Sequence, residues 1–226
     1  NNKKAPFDNV NVRKALNLSL DRNVITDKVL GQGQTPTYVF TPTYIEEGHL
    51  IQQPAYSKEP MAQRNEEAIK LLEEAGYSKA NPLKFSILYN TNENHKKVAI
   101  AAASMWKANT KGLIDVKLEN QEWKTYIDSR RAGRYDAARA GWNADYNQAT
   151  TFGNYFLSNS SNNTAKYANP EYDKAIAESY VATDAEGRAK AYAKAEEILA
   201  KDFGIVPIFN YVNPRLVKPY VKGYSG

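Results

Sequence analysis

The chain has 226 residues, 30 basic against 25 acidic, and a formal charge of +5. Apolar residues at 42% and charged residues at 24% are ordinary globular values and exclude a wholly disordered chain, while zero cysteine excludes a disulfide framework, a thiol nucleophile and a thiolate metal site. Basic residues are interspersed with acids, and the only histidines are His49 and His95, so neither a nucleic-acid face nor a histidine-rich metal centre is expected.

The chain opens on Asn1-Asn2-Lys3-Lys4, with neither an initiator Met nor an apolar leader, and reads as a processed product or an excised piece. A helical stripe follows from Asn11, with Val12, Ala15, Leu16 and Leu20 at i, i+3, i+4 spacing. Asp21 reads as the N-cap of a second helix carrying Ile25 and Val29, stopped by Gly31 and Gly33. Residues 34–57 are rich in Pro, Thr and Tyr without a period and predict a long ordered loop. An amphipathic helix over 66–75 closes on Gly76. Phe85, Ile87 and Tyr89 alternate as a strand over 84–90. A helix over 94–109 turns Val98, Ala102, Met105 and Trp106 inward; its apolar run, 98–105, is far too short to cross a membrane.

Ile114, Val116 and Leu118 predict a second strand, 122–131 a helix, and 135–140 a short strand running into Gly141-Trp142. Asn169-Pro170 is an N-cap with an N1 proline for a helix to Val181. Thr183 and Glu186 predict a capping box for a helix reaching about residue 203. Residues 205–212 form a final apolar strand, with 215–221 extending beyond it. Strands alternating with helices predict an α/β or α+β domain, a mixed β-sheet flanked by helices.

No Gly-x-Ser-x-Gly elbow occurs, and Gly31-Gln32-Gly33-Gln34 lacks the third glycine and the preceding strand of a phosphate cradle. Glu122 and Asp145 are the best carboxylates for a carbohydrate-active enzyme, and the aromatic content would suit sugar stacking, but no local motif ties the two together. The most unusual segment is Arg139-Ala140-Gly141-Trp142-Asn143-Ala144-Asp145-Tyr146-Asn147. Asp145 there is either a cap of the following turn or a partly buried carboxylate beside an aromatic, the chemistry that holds an ammonium group. Trp142 and Trp123 are core or contact residues. Arg130 and Arg139 are solvated, paired with acids such as Asp136, or bidentate donors to a ligand carboxylate. His95 is an exposed loop or cap residue on its own evidence.

Together these segments resemble the periplasmic oligopeptide-binding proteins of bacterial ABC importers, solute-binding family 5. The likeness runs through Asn2-Lys3-Lys4-Ala5-Pro6-Phe7, Val12-Arg13-Lys14-Ala15-Leu16, Arg64-Asn65-Glu66-Glu67-Ala68, Asn120-Gln121-Glu122-Trp123-Lys124-Thr125, Arg139-Ala140-Gly141-Trp142, Ala144-Asp145-Tyr146-Asn147, Leu157-Ser158-Asn159-Ser160-Ser161 and Arg215-Leu216-Val217-Lys218-Pro219. It implies that residues 1–210 are the C-terminal peptide-binding lobe, the third domain of a longer receptor. Residues 211–226 would then start the crossing back to the first domain. It implies no catalysis and no cofactor, a periplasmic monomer, an oligopeptide ligand and an ABC permease as partner.

By resemblance Asp145 binds the ligand's α-ammonium, and Gly141 and Asn143 offer backbone groups to a peptide lying like an added strand. Trp142, Trp123 and Tyr211 line side-chain pockets. Arg130, Arg139 and His95 meet the peptide carboxylate, different ones for different lengths, with Asn90 at the same rim. The family often has a cysteine where this chain has Asn143, so the disulfide it makes there cannot form. Relatives that bind murein tripeptides or carry haem leave the ligand class open.

Overall fold

A computed structural model describes residues 1–213 and 216–223. The expected extension over 215–221 therefore begins outside the described residues, and its described part, 216–221, carries no strand. Helix α1 spans Val10–Leu18, one residue earlier than its apolar stripe, because Asn9 caps it by accepting from the Asn11 amide. Asp21 caps α2, Arg22–Val24, which widens into a π-helical turn, Ile25–Leu30; Gly31 ends it at φ 61°, where a side chain would be strained. The long loop contributes a two-residue strand β1, Thr35–Pro36. Its order has a physical source. Tyr38 lies under the buried guanidiniums of Arg22, 4.1 Å from the ring centre, and Arg64, at 5.3 Å.

Helix α3, Met61–Glu74, begins a turn and more before its recognisable stripe and ends before Gly76, as expected. Strand β2, Leu83–Asn90, leads through α4, Glu93–Asn109, to β3, Ile114–Gln121, and α5, Trp123–Arg131, leads to β4, Ala137–Ala138. These strands form a parallel sheet in the order β3-β2-β4. The middle strand is covered on both faces, so Leu88 and Asn90 are buried along with the alternating Phe85, Ile87 and Tyr89. Strand β4 is shorter than the predicted 135–140 because the Asp136 carboxylate, not a backbone carbonyl, accepts from the Ser86 amide at 3.1 Å.

Helix α6, Thr150–Gly153, precedes the antiparallel pair α7, Pro170–Val181, and α8, Ala185–Lys201. Asn169 caps α7 as expected. The cap of α8 is Asp184, whose carboxylate accepts from the Gly187 amide at 2.7 Å, so the predicted Thr183–Glu186 box does not form. The last apolar segment narrows to β5, Phe209–Asn210, antiparallel to β1. Both pairing types are present, in two separate sheets.

Among the described residues the apolar side chains gather in two large cores and a small cluster of Leu88, Tyr126 and Tyr135. One packs α1, α3 and α4 against the parallel sheet around Leu16, Leu72, Phe85, Trp106 and Ile114; the other packs α6, α7 and α8 around Phe152, Tyr172, Ile176 and Leu199. No helix among the described residues is long and apolar enough to cross a membrane.

Candidate functional site: a cleft at the carboxyl ends of the parallel strands

The parallel sheet points the carboxyl ends of β2, β3 and β4 the same way, the edge where open α/β sheets bind ligands. Chain leaving β2 carries Asn90 and His95, chain leaving β3 carries Trp123, and chain leaving β4 carries Arg139, Gly141, Trp142 and Asn143. A cleft of about 870 Å³ runs along this edge between the two cores. His95, Arg130, Arg139, Gly141, Trp142, Asn143 and Tyr211 line it. Asn90, Trp123 and Asp145 do not.

Asp145 is exposed at the lip, between Ala144 and Tyr146, which face the cleft. It makes no salt bridge among the described residues. Thr151, at the start of α6, orients it. The Thr151 hydroxyl accepts from the Asp145 amide at 3.2 Å and from the Trp142 indole N–H at 3.3 Å, and faces the Asp145 carboxylate at 3.5 Å. Asp145 is thus not a helix cap. The Trp142 ring is half-buried, edge-on to Tyr155 with centroids 5.0 Å apart.

Arg130 is the opposite case, a residue only 8% exposed at the cleft wall. Its Nη2 donates to the Tyr155 hydroxyl at 3.1 Å and the Thr164 hydroxyl at 2.8 Å, and its Nη1 to the Tyr126 hydroxyl at 3.3 Å. All three partners are neutral, and its Nε–H has none. The pairing with Asp136 left open by the sequence does not occur, because Asp136 binds Lys4 and Ser86. A buried cation without an anion is a costly arrangement that a ligand carboxylate would relieve.

Nearby, the His95 ring lies 2.8 Å from the Asn90 side-chain oxygen through Nδ1. Burial first, and the Arg139 charge second, push its pKa down to about 4, so it is neutral at pH 7. Arg139 stacks on Tyr211, with its Cζ 5.6 Å from the ring centre, and donates to the Tyr211 hydroxyl. That phenol lies against Gly141, where a Cβ would overlap it, so a side chain there would displace the Tyr211 ring. Trp123 is 56% exposed beyond the cleft, its ring 5.7 Å from Tyr126, so the reading that packs it into the core does not hold. Glu122 caps α5 through the Lys124 amide at 3.0 Å. Residues missed from the sequence are Thr151, Tyr155 and Thr164, which carry no local pattern. Tyr126 was findable, being i, i+4 to Arg130 on one helix.

The fold is an open parallel α/β sheet with a ligand-sized cleft at its carboxyl edge, and the sequence places it more closely. Residues 1–164 match the model of bacterial extracellular solute-binding proteins, family 5 Middle, and the chain belongs to that family. It is 97% identical over all of its 226 residues to the periplasmic oligopeptide-binding protein OppA of Haemophilus influenzae, and covers 42% of that protein. The crystal structure of Haemophilus influenzae OppA in complex with RPPGFSPFR superposes with a TM-score of 0.96, over 100% of this chain and 44% of that one. The Escherichia coli murein tripeptide binding protein MppA is 44% identical with a TM-score of 0.91, over 99% of this chain and 43% of that one. The chain thus spans under half the length of these relatives.

Proposed function

We propose that this chain is the peptide-binding lobe of a periplasmic receptor, a monomer that captures oligopeptides by main chain and termini and hands them to an ABC permease. Asp145 holds the ligand's ammonium group. Gly141 and Asn143 bond its backbone, and Trp142 and Tyr211 wall its side-chain pockets, with Trp123 exposed beyond this cleft. Arg130, Arg139 and His95, with Asn90 behind the imidazole, meet its carboxylate. Residues 1–210 form the lobe and the crossing starts at 211; the pairing of β5 with β1, which ends at Asn210, supports that boundary.

One observation carries the reading: among the described residues, an exposed carboxylate without an ion pair stands at the lip of the cleft and a buried guanidinium without an anion stands in its wall. A peptide has the complementary charges at its two ends. Main-chain bonds, worth about 0.5–1.5 kcal/mol net each, add affinity that does not depend on side-chain identity. The test is calorimetry on a full-length protein carrying this chain, with trialanine and its N-acetylated and C-amidated forms. Each blocked end should weaken binding by at least about tenfold; equal binding of all three would end the proposal.

The imidazole adds a pH signature. His95 is neutral in the empty lobe, and a carboxylate docked beside it opposes the Arg139 charge and raises its pKa. Binding then takes up a proton between about pH 4 and the raised value, so affinity rises as pH falls. Between pH 7.5 and 5 the gain should reach about threefold for a peptide whose carboxylate arrives there. Wild type and His95→Asn showing the same pH slope would remove His95 from the site.

A further inference from the structure

The loop that carries Asp145 is held from outside by a residue in an uncommon backbone conformation. Glu47 has φ 63°, the left-handed region that glycine or asparagine enters at lower cost. Its side chain is 3% exposed. One carboxylate oxygen accepts from Arg188 of α8, 2.7 Å from Nε and 2.6 Å from Nη2. The other accepts from the Gln148 amide nitrogen at 2.9 Å. Gln148 is fixed in that orientation, because its own oxygen accepts from the Thr150 hydroxyl at 2.6 Å, which in turn lies 2.7 Å from the Tyr192 hydroxyl.

The residues beside Glu47 engage the same stretch. Ile45 is buried in the second core next to Ala149 and Phe152. The Glu46 carbonyl accepts from the Ala149 amide at 2.9 Å, and the Glu46 amide donates to the Asn147 side chain at 3.4 Å. An exposed pair, His49–Glu186 at 3.3 Å, repeats the contact with α8. Asn147, Gln148 and Ala149 follow Asp145 after the single residue Tyr146 and lead into Thr151, which orients the Asp145 carboxylate. Glycine would relieve the backbone at Glu47 but supply neither acceptor.

We propose that Glu47 is a positioning residue: it clamps residues 147–149 to α8 and so sets the Asp145 carboxylate at the cleft lip before a ligand arrives. This rests on Asp145 being the ammonium partner, and the experiment separates the two. In a full-length protein carrying this chain, Glu47→Gly and, as a milder variant that keeps the Arg188 pair, Gln148→Ala are measured alone and combined with Asp145→Asn. Two readouts are taken: amide hydrogen exchange over 142–151, and calorimetry with trialanine.

Either variant should speed exchange of the Asp145 and Ala149 amides by about tenfold. It should weaken trialanine binding by about tenfold with Asp145 present and by less than about twofold with Asn at that position. Unchanged exchange overturns the clamp. Faster exchange with the same affinity loss in both backgrounds overturns its action through Asp145. If Asp145→Asn alone leaves affinity unchanged, the ammonium reading falls and with it the proposed purpose of the clamp, whatever the exchange shows.

Discussion

Asp145→Ala, in a full-length protein carrying this chain, should weaken trialanine binding at least about a hundredfold, close to 2.7 kcal/mol, with almost no loss of thermal stability. The asymmetry follows from where the carboxylate sits. In the empty lobe it is exposed and, among the described residues, outside any ion pair and held only by Thr151 at 3.5 Å, so deleting it removes little that folding relies on. In the proposed complex the docked ammonium and the carboxylate exclude water from between them, so the pair lies in a medium of lower dielectric than water. An ammonium left there without its partner carries a penalty of roughly 3–5 kcal/mol. Asp145→Asn keeps the shape and removes the charge, and should behave like the alanine variant. A loss under about threefold in calorimetry, or an unfolding midpoint lowered as far as the affinity, would contradict the assignment.

The parts of this lobe that were legible in the sequence are those set by neighbours along the chain. The stripe of Val12, Ala15 and Leu16, the Asp21 cap, the αL stop at Gly31 and the Asn169-Pro170 start depend on contacts within one or two turns. Even the Asp184 miss was local, since Thr183 and Asp184 are adjacent and both can cap. Sheet order was not legible. That β2 lies between β3 and β4 is fixed by burial over the whole core, and it is this order that brings Asn90, Arg139 and Gly141 to one edge.

The resemblance named candidate site residues but not their states. Nothing near Arg130 in the sequence says that its partners are hydroxyls of Tyr155 and Thr164, 25 and 34 positions away. Nor does Glu46-Glu47-Gly48 announce that its second residue holds a left-handed backbone; a run of two acids before a glycine looks like a solvated turn.

Arg130→Met separates binding from stability in the wall of the cleft. The guanidinium is buried and its bonds go to neutral hydroxyls, so the empty lobe bears the desolvation of a charge with no carboxylate to offset it. An unbranched apolar side chain removes that burden. It leaves the Tyr155 and Thr164 hydroxyls to find water from the cleft that Arg130 now lines, and Tyr126 keeps its bond to the Arg139 carbonyl. Unfolding free energy should therefore move by no more than about 1 kcal/mol in either direction. Binding has no such compensation. Across trialanine, tetra-alanine and penta-alanine, the length whose carboxylate reaches Arg130 should lose at least about thirtyfold, or 2 kcal/mol. The C-amidated peptide of that length should lose less than about threefold, because its end carries no charge to strand. Arg130→Lys should not rescue the loss, since one ammonium cannot replace a planar fork bonded to three hydroxyls at once. Equal losses for free and amidated peptides at every length would show that Arg130 only braces the wall, and would leave Arg139 and His95 as the carboxylate's partners.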